Sequence, residues 1–272
     1  MKKQKHLIIG AGEVGMAIYE VLKGKYEVDP VRSSNTPRDF LNASKGEADY
    51  RLRLSSINNL AETSNRVDIQ DAALIHNGHY DVLHICYPPV KNFVQTAKNY
   101  IKIYKPHLVI IHSTVPVGTT KKIAPFAVHS PIRGVHPHLA EGIKTFVKYF
   151  GGKKAKEAAK IFSALGVTVK AFPKSETSEL LKILDTTYYG WNIIFAKEAK
   201  RICDKLNLDF DEVYTDANIS YNEGYKKLDK SNVMRPVLTP MPGKIGGHCI
   251  VSNCGLLEDW LTKTVKDRNK KY

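Results

Sequence analysis

HLIIGAGEVG, residues 6–15, is a short apolar run that leads directly into three glycines. The run Leu7–Ile9 predicts a buried β-strand that ends at Gly10. The following residues, VGMAIYEVLKG at 14–24, have the apolar spacing of a helix, and KYEVDPVR at 25–32 is the next β-leaning run. Strand, glycine turn, helix and strand in this order predict a βαβ unit.

The three glycines of this turn fit the pattern G-x-G-x-x-G, and the pattern has physical meaning because it follows a strand and opens a helix. Gly10 permits a tight turn, Gly12 allows the backbone to approach a pyrophosphate, and Gly15 allows close helix–strand packing. The N–H groups at the start of the helix attract phosphates. We therefore expect a dinucleotide cofactor on this loop, which also contains Glu13 and Val14.

The choice between NAD and NADP depends on the residues after the second strand. An acidic residue that binds the ribose is expected about 20 residues beyond the glycines, but position 32 is an arginine, and Ser33 follows it. A cation beside hydroxyls suits a 2′-phosphate, so Arg32 and Ser33 favour NADP over NAD. Asp29 is the rival that would favour NAD, although it lies three positions earlier and Pro30 follows it.

Further strands and helices alternate along the next part of the chain. Buried strands are predicted within 81–89 (DVLHICYPP), 107–116 (HLVIIHSTVP) and 167–172, and helices within 89–104 and 153–166. Residues 36–79 carry only a weak pattern. The alternation predicts an α/β fold, a Rossmann-like doubly wound parallel sheet covered by helices on both faces, over residues 1–174.

A mainly helical domain is predicted for residues 175–272, built on one long helix from about residue 176 to 206. Its apolar residues recur every three or four positions and form one stripe: Leu180, Leu184, Tyr188, Trp191, Phe195, Ala199, Ile202 and Leu206. A long helix with such a stripe often packs against its own copy, so we expect a homodimer. A glycine such as Gly190 destabilises a helix by about 1 kcal/mol relative to alanine, so packing must hold the helix there.

Composition narrows the class of protein. The chain has 272 residues, 43% of them hydrophobic, enough for a sizeable core. No apolar run approaches the roughly 20 residues that span a bilayer, and no signal peptide is visible. We therefore expect a cytoplasmic protein without a membrane partner.

Charge and cysteine content do not identify the partner, and solvated lysine faces are the simpler explanation of the charge. The net charge of +14 favours an anionic partner, but no nucleic-acid-binding signature accompanies it. The four cysteines form no CxxC pair, and His136 with His138 offers too few donors for a metal, so no metal site is expected.

Five stretches together resemble the UDP-glucose/GDP-mannose (nucleotide-sugar) dehydrogenase family over nearly the whole chain. They are GAGEVG (10–15), DVLHICYPP (81–89), HSTVPVGTT (112–120), the helix segment 179–209 and PGKIGGHCI (242–250). HSTVPVGTT and GGHCI are the specific ones, and the other three are supportive. The sequence stops short of a full-length member, because the family's C-terminal nucleotide-binding domain is absent from it.

The resemblance implies a chemistry. Family members oxidise a sugar CH₂OH twice, to the carboxylate, through a cysteine thiohemiacetal and thioester. Cys249 matches the nucleophile, Lys182 matches the lysine that stabilises oxyanions, and Thr114 matches the threonine of the loop. Pro88 and Ser113 lie in the matching cofactor-binding segments. The expected substrate is an anionic small molecule such as a nucleotide sugar.

Three positions depart from the family pattern. Ile132 stands where the family has a glutamate, Thr186 where it has an asparagine, and Asn253 where it has an aspartate. Thr186 lies one helical turn after Lys182, so its hydroxyl can partly replace the amide. Thioester hydrolysis needs a base, and three histidines are the substitutes that the sequence offers: His136, His138 and His248.

Two rival functions remain open on the sequence. One is a β-hydroxyacid dehydrogenase that uses Lys182 and needs no cysteine. The other is a cofactor-binding protein without catalysis, which the three departures motivate.

Overall fold

The structure is a computed structural model that describes residues 3–31, 79–247 and 249–272. The predictions for Arg32, Ser33, His248 and most of residues 36–79 lie outside these described residues. The chain divides into two compact units, Met1–Leu180 and Leu181–Tyr272.

The first unit contains a seven-stranded sheet in the order β2-β1-β3-β4-β5-β6-β7. Its strands are β1 (Lys5–Ile9), β2 (Glu27–Val31), β3 (Val82–Ile85), β4 (Leu108–Ile111), β5 (Val128–His129), β6 (Lys148–Gly151) and β7 (Val169–Phe172). Every pairing is parallel except that between β5 and β6. The doubly wound α/β prediction is confirmed, with one antiparallel step that rests on the single pair His129–Gly151.

Helices cover both faces of this sheet. Among the described residues they are α1 (Glu13–Leu22), α2 (Phe93–Tyr104), α3 (Thr119–Ile123), α4 (Leu139–Thr145) and α5 (Ala155–Ser163). Alternate residues of a strand face opposite sides, so Ile8 lies in one core with Ile18 and Phe162. Leu7 lies in the other core with Tyr100.

A row of buried titratable side chains crosses the sheet on the Ile8 side. Nδ1 of His6 lies 2.9 Å from Nε2 of His84, and Nδ1 of His84 lies 3.0 Å from Nε2 of His112. Nδ1 of His112 lies 2.8 Å from the carbonyl of Ser130, to which the Lys148 ammonium donates at 3.2 Å. Desolvation lowers the pKa of His6 to about 4 and that of Lys148 to about 7. Desolvation also holds the pKa values of His84 and His112 well below the usual range.

The second unit is helical, as predicted. The long helix α6 (Ser175–Leu206) leads into it, followed by a π-helical turn (Asp211–Asp216), α7 (Ala217–Lys227), a 3₁₀ turn (Ser231–Val233), α8 (Ile250–Cys254) and α9 (Trp260–Asn269). The face of α6 that is buried within the chain carries Ile183, Thr187, Gly190 and Ile194. The predicted apolar stripe lies on a different side of the helix, and most of its residues are exposed.

Gly190 lies where α6 meets the two C-terminal helices. A Cβ atom there would come within 2.8 Å of Ile250 Cγ2 and 2.9 Å of Val265 Cγ1. Both distances are shorter than side-chain contacts allow, so only glycine permits α8 and α9 to approach this closely. This close approach is the physical reason for the prediction that packing holds the helix at Gly190.

The described residues contain neither a membrane-spanning helix nor a cluster of metal-ligating side chains. None of the described helices has the length and apolar character needed to cross a bilayer. Within the same ranges, no group of three or more histidine, cysteine, aspartate or glutamate side chains is arranged to hold a metal ion.

Candidate functional site

The glycine turn after β1 combines two positions of close packing with one open position. Gly10 has a φ of +103°, and a Cβ there would lie 2.6 Å from the Tyr87 backbone nitrogen. A Cβ at Gly15 would lie 2.0 Å from the Gly10 carbonyl, so these two glycines are dictated by packing. At Gly12, in contrast, a Cβ would meet no atom within 4 Å. Space above the Gly12 backbone, at a helix N-terminus that no side chain caps, fits a phosphate group.

The loops after β3 and β4 lie at the same edge of the sheet as this turn, because β1, β3 and β4 are parallel neighbours. Pro88 and Thr114 are half-buried on these loops. The Ser113 hydroxyl is buried and donates to the Tyr87 carbonyl at 2.6 Å. The Ser113 hydrogen bond therefore links the two loops. Thr114, the next residue, is partly accessible to solvent.

A buried carboxylate holds the far end of the Thr114 loop. Glu179 has an exposed fraction of 0%, and its two oxygens accept the backbone N–H groups of Gly118 at 2.6 Å and Thr120 at 2.8 Å. Charge-assisted bonds of this kind are stronger than neutral ones. The first turns of α6 therefore fix the loop that connects β4 to α3.

The ribose end of the proposed cofactor site lies at the end of β2. The strand ends at Val31, so position 32 is the first residue beyond it, where a ribose-recognising side chain belongs. Asp29, the rival, lies within the strand and accepts a hydrogen bond from the Tyr80 hydroxyl at 2.8 Å. Its carboxylate also lies 3.6 Å from the Lys5 ammonium. Asp29 thus has structural partners of its own.

Glu13 and the two histidines that flank Pro137 lie in the first unit. The Glu13 carboxylate, in the first turn of α1, contacts the His136 imidazole. Nδ1 of His138 lies 3.7 Å from the Glu141 carboxylate. Both histidines proposed as substitute bases therefore have acidic neighbours within this unit.

Ile132 has the surroundings of a core residue. It is buried and belongs to the same apolar cluster as Leu139 and Ile143. In this apolar cluster the carboxylate of a glutamate at position 132 would be costly to bury without a polar partner.

In the second unit, Thr186 and Asn253 lie in contact. Thr186 follows Lys182 by four positions, and Asn253 follows Cys249 by four positions. The Asn253 amide donates to the Thr186 hydroxyl at 3.4 Å, and Thr186 in turn donates to the Lys182 carbonyl at 3.1 Å. Thr186 and Asn253 are both buried, Lys182 is half-buried and Cys249 is exposed. Residues four apart share one face of a helix. Thr186 and Asn253, which both depart from the family pattern, thus contact each other between α6 and α8.

Cys249 differs from the other three cysteines in its exposure. Cys86, Cys203 and Cys254 are buried, and Cys249 is exposed at the N-terminal cap of α8. Desolvation raises the pKa of the Cys86 and Cys254 thiols. The thiol at position 249 is therefore the one that a substrate can reach without rearrangement of a core.

Sequence reasoning gave no role to Glu179 or Lys197. Glu179 lies in the same ELLK segment as Lys182, which matches the lysine of the family. Its position in this segment therefore indicated a functional role. The Lys197 ammonium donates to the carbonyls of Met241 and Gly243. Every residue has a backbone carbonyl that can accept such a bond, so no sequence pattern predicts it.

Comparison with protein-family models gave no match. A curated relative, the UDP-N-acetyl-D-mannosamine dehydrogenase of Methanococcus vannielii, is 31% identical over 170 residues. The alignment covers 58% of this chain and 37% of the relative. The chain thus matches well under half the length of this curated protein.

Solved structures share the fold over nearly the whole chain. A UDP-D-ManNAc dehydrogenase from Pyrococcus horikoshii covers 98% of this chain and 68% of its own, at 19% identity and a TM-score of 0.71. A 3-hydroxyisobutyrate dehydrogenase from Mycobacterium tuberculosis covers 99% of this chain and 94% of its own, at 14% identity and a TM-score of 0.63. The curated relative confirms the resemblance to nucleotide-sugar dehydrogenases that the motifs indicated, and the two solved structures show the shared fold.

Proposed function

We propose that the chain is an NAD(P)-dependent dehydrogenase that oxidises a primary alcohol of a nucleotide sugar or a related anionic substrate. In this proposal residues 1–174 hold the dinucleotide and residues 175–272 carry the reacting side chains. The observation that carries it is the exposed Cys249 on α8, whose neighbour Asn253 contacts Thr186 one turn after Lys182. A thiol and an ammonium on two adjoining helices suit aldehyde capture and oxyanion stabilisation.

The proposed cofactor residues divide between two tasks. The backbone at Gly10, Gly12 and Val14 faces the pyrophosphate, and Arg32 with Ser33 recognises a 2′-phosphate, which favours NADP over NAD. When bound, the nicotinamide accepts the hydride. Glu13 belongs to the same turn, and its carboxylate contacts the His136 imidazole.

The reaction runs in two oxidations. Lys182 stabilises the alkoxide as the alcohol loses its proton and a hydride, and Thr114 is the further catalytic residue that the resemblance implies. The Cys249 thiolate then adds to the aldehyde carbon, and loss of a second hydride from the thiohemiacetal, to a second molecule of oxidised dinucleotide, would give a thioester. Water adds to the thioester carbonyl, the carbon–sulfur bond breaks, and the carboxylate leaves while the thiolate is restored.

Asn253 makes the last step slow. An amide has no basic oxygen that can remove a proton from water at neutral pH, and this amide donates to Thr186. We therefore expect the thioester to accumulate on Cys249.

The test is a rapid quench of the protein with nucleotide sugar and dinucleotide, followed by peptide mass spectrometry. The expected result is the mass of the substrate acyl group on the Cys249 peptide. The Asn253→Asp variant should shorten the lifetime of this adduct, because a carboxylate beside the thioester supplies the base. Turnover without any adduct on Cys249, in either protein, would contradict the cysteine mechanism.

A β-hydroxyacid dehydrogenase is the second candidate. It is favoured by one comparison, in which this chain spans nearly the full length of the 3-hydroxyisobutyrate dehydrogenase. That reaction needs Lys182 and no thiol, so its activity would survive Cys249→Ser.

We also propose a homodimer formed through the exposed stripe of α6. Tyr188 is 63% exposed and Phe195 is 65% exposed, with Ile202 and Leu206 further along the same stripe. Large apolar side chains in one row mark an interaction surface. A reducing compartment, as in the cytoplasm, suits this protein because Cys249 must remain a thiol.

A further inference from the structure

The loop that leads to Cys249 has little of its own to hold it in place. Gly243 and Gly247 have φ values of +74° and +80°, and a Cβ at either glycine, or at Gly246, would meet no atom within 4 Å. Glycines of this kind leave a backbone with wide conformational freedom. The position of Cys249 must therefore be set by contacts from elsewhere.

One such contact comes from Lys197 on α6. Its ammonium donates to the carbonyl of Met241 and, at 2.7 Å, to that of Gly243. The side chain is only 5% exposed, and the ammonium lies 5.0 Å from the centre of the Tyr272 ring. Within the described ranges no carboxylate lies at salt-bridge distance from it. The two carbonyls therefore solvate a charge that would otherwise be costly to bury.

A second contact follows two residues later in the loop. The backbone N–H of Ile245 donates to the Asn269 side chain at 2.6 Å, and Asn269 is buried at the end of α9. Beyond the loop, α8 is held by its packing on Gly190 and by the bond from Asn253 to Thr186. The segment before Cys249 is thus fixed at residues 241, 243 and 245, and the segment after it is fixed by α8.

We propose that Lys197 is a positioning residue for the Cys249 thiol: it fixes the start of the glycine-rich loop and thereby sets where the thiol is presented. A lysine suits this task because its three N–H donors can serve two carbonyls at once. Bonds from a charged donor are also stronger than those from a neutral one. The catalytic consequence rests on the proposed function, but the effect on the loop does not.

The test compares Lys197→Met, Lys197→Gln and Lys197→Arg in the full chain with the control Lys200→Met. Lys200 lies one turn further along α6, and its ammonium bonds the Asp204 side chain at the surface. The first readout is hydrogen–deuterium exchange of the amides of residues 243–247. We expect exchange to be faster by roughly tenfold in Lys197→Met, with partial recovery in Lys197→Arg and no change in the control.

The second readout is kinetic. With loss of the anchor, kcat for the thiol-dependent oxidation should fall by roughly tenfold or more, because small misplacements of a reacting group are costly. The dissociation constant for the dinucleotide should stay the same. Lys197→Gln keeps a neutral donor and provides a second variant if Lys197→Met does not fold.

Two results would overturn the proposal. One is loop exchange in Lys197→Met equal to that of the control. The other is faster exchange throughout residues 181–272 with a lower melting temperature, which would make Lys197 a general stabilising residue. If the wild type turns over no substrate, the proposed function fails, but the exchange measurement still decides the role of Lys197.

Discussion

At the scale of single residues, Gly190 gives the sharpest prediction of stability. Gly190→Ala adds a methyl group that would lie 2.8 Å from Ile250 and 2.9 Å from Val265. Overpacking of this kind costs about 1–3 kcal/mol, which exceeds the gain of about 1 kcal/mol that alanine brings to a helix. We expect a lower free energy of unfolding in urea denaturation.

The matched control is Gly224→Ala, within α7. A Cβ there meets no atom within 4 Å, so alanine should stabilise the protein by about 0.5–1 kcal/mol. Stabilisation by both substitutions would show that α8 and α9 do not pack on Gly190 as described.

Residues with local signals could be predicted from the sequence, and those that depend on distant partners could not. Gly10 and Gly15 follow a spacing that strand and helix geometry dictate, and the structure places both where packing excludes a side chain. The need for packing at Gly190 was foreseeable, but its partners were not. Lys197 meets carbonyls 44 and 46 residues away, and no local pattern encodes such a meeting.

At the scale of secondary-structure elements, Glu179 joins α6 to the loop that carries Thr114. Glu179→Gln replaces one acceptor oxygen by an NH₂ group, which would face the backbone N–H of Gly118 or Thr120. One buried donor is then left without an acceptor, at a cost of about 1–3 kcal/mol. We expect a lower melting temperature and weaker binding of NAD(P) in calorimetric titration.

Glu176→Gln is the control for this prediction. Glu176 lies in the first turn of the same helix and is half-buried, and its carboxylate accepts a hydrogen bond from the Ser175 hydroxyl at 3.2 Å. Equal dinucleotide affinity in Glu179→Gln and Glu176→Gln would argue against a role of α6 in shaping the cofactor loop.

The buried row from His6 to Lys148 makes stability depend on pH. The folded state holds fewer protons than the unfolded state wherever a pKa is lowered by folding, and stability then rises with pH. For His6 this window runs from about pH 4 to 6.5, and for Lys148 from about pH 7 to 10.5. The free energy of unfolding should therefore increase from acidic to alkaline pH.

Lys148→Met isolates the alkaline part of this dependence. Urea denaturation between about pH 7 and pH 10 should give a flatter slope for Lys148→Met than for the wild type. Lys156→Met, an exposed position on α5, should leave the slope unchanged. An identical slope in all three proteins would mean that Lys148 is not the group that titrates.

The strands and helices could be predicted from hydrophobic periodicity, but the buried face of α6 could not. Apolar runs such as Leu108–Ile111 can only be buried strands between helices, and the structure confirms them. On α6 most of the large apolar side chains form the exposed stripe, and the buried face combines Ile183 and Ile194 with the small residues Thr187 and Gly190. The close approach of α8 and α9 requires a small residue at Gly190, and hydrophobic periodicity does not detect such a requirement.

At the scale of the whole molecule, the exposed stripe of α6 predicts self-association. Phe195→Glu places a charge in the middle of the proposed interface, where an unpaired charge is strongly unfavourable. We expect light scattering to give the mass of a dimer for the wild type and that of a monomer for Phe195→Glu. Glu212→Gln, an exposed position outside the stripe, should keep the mass of the wild type. A monomeric wild type at micromolar concentration would contradict the dimer.

The central claim is that an exposed thiol on α8 performs dinucleotide-dependent oxidation. The most direct measurement is NAD(P)H formation, by absorbance, from a panel of UDP- and GDP-sugars with NAD⁺ or NADP⁺, for the wild type beside Cys249→Ser. We predict turnover of at least one nucleotide sugar by the wild type, with NADP⁺ preferred, and loss of complete oxidation in Cys249→Ser. Equal turnover by both proteins would contradict the claim in favour of a cysteine-independent dehydrogenase, and dinucleotide binding without any turnover would contradict it in favour of a binding protein.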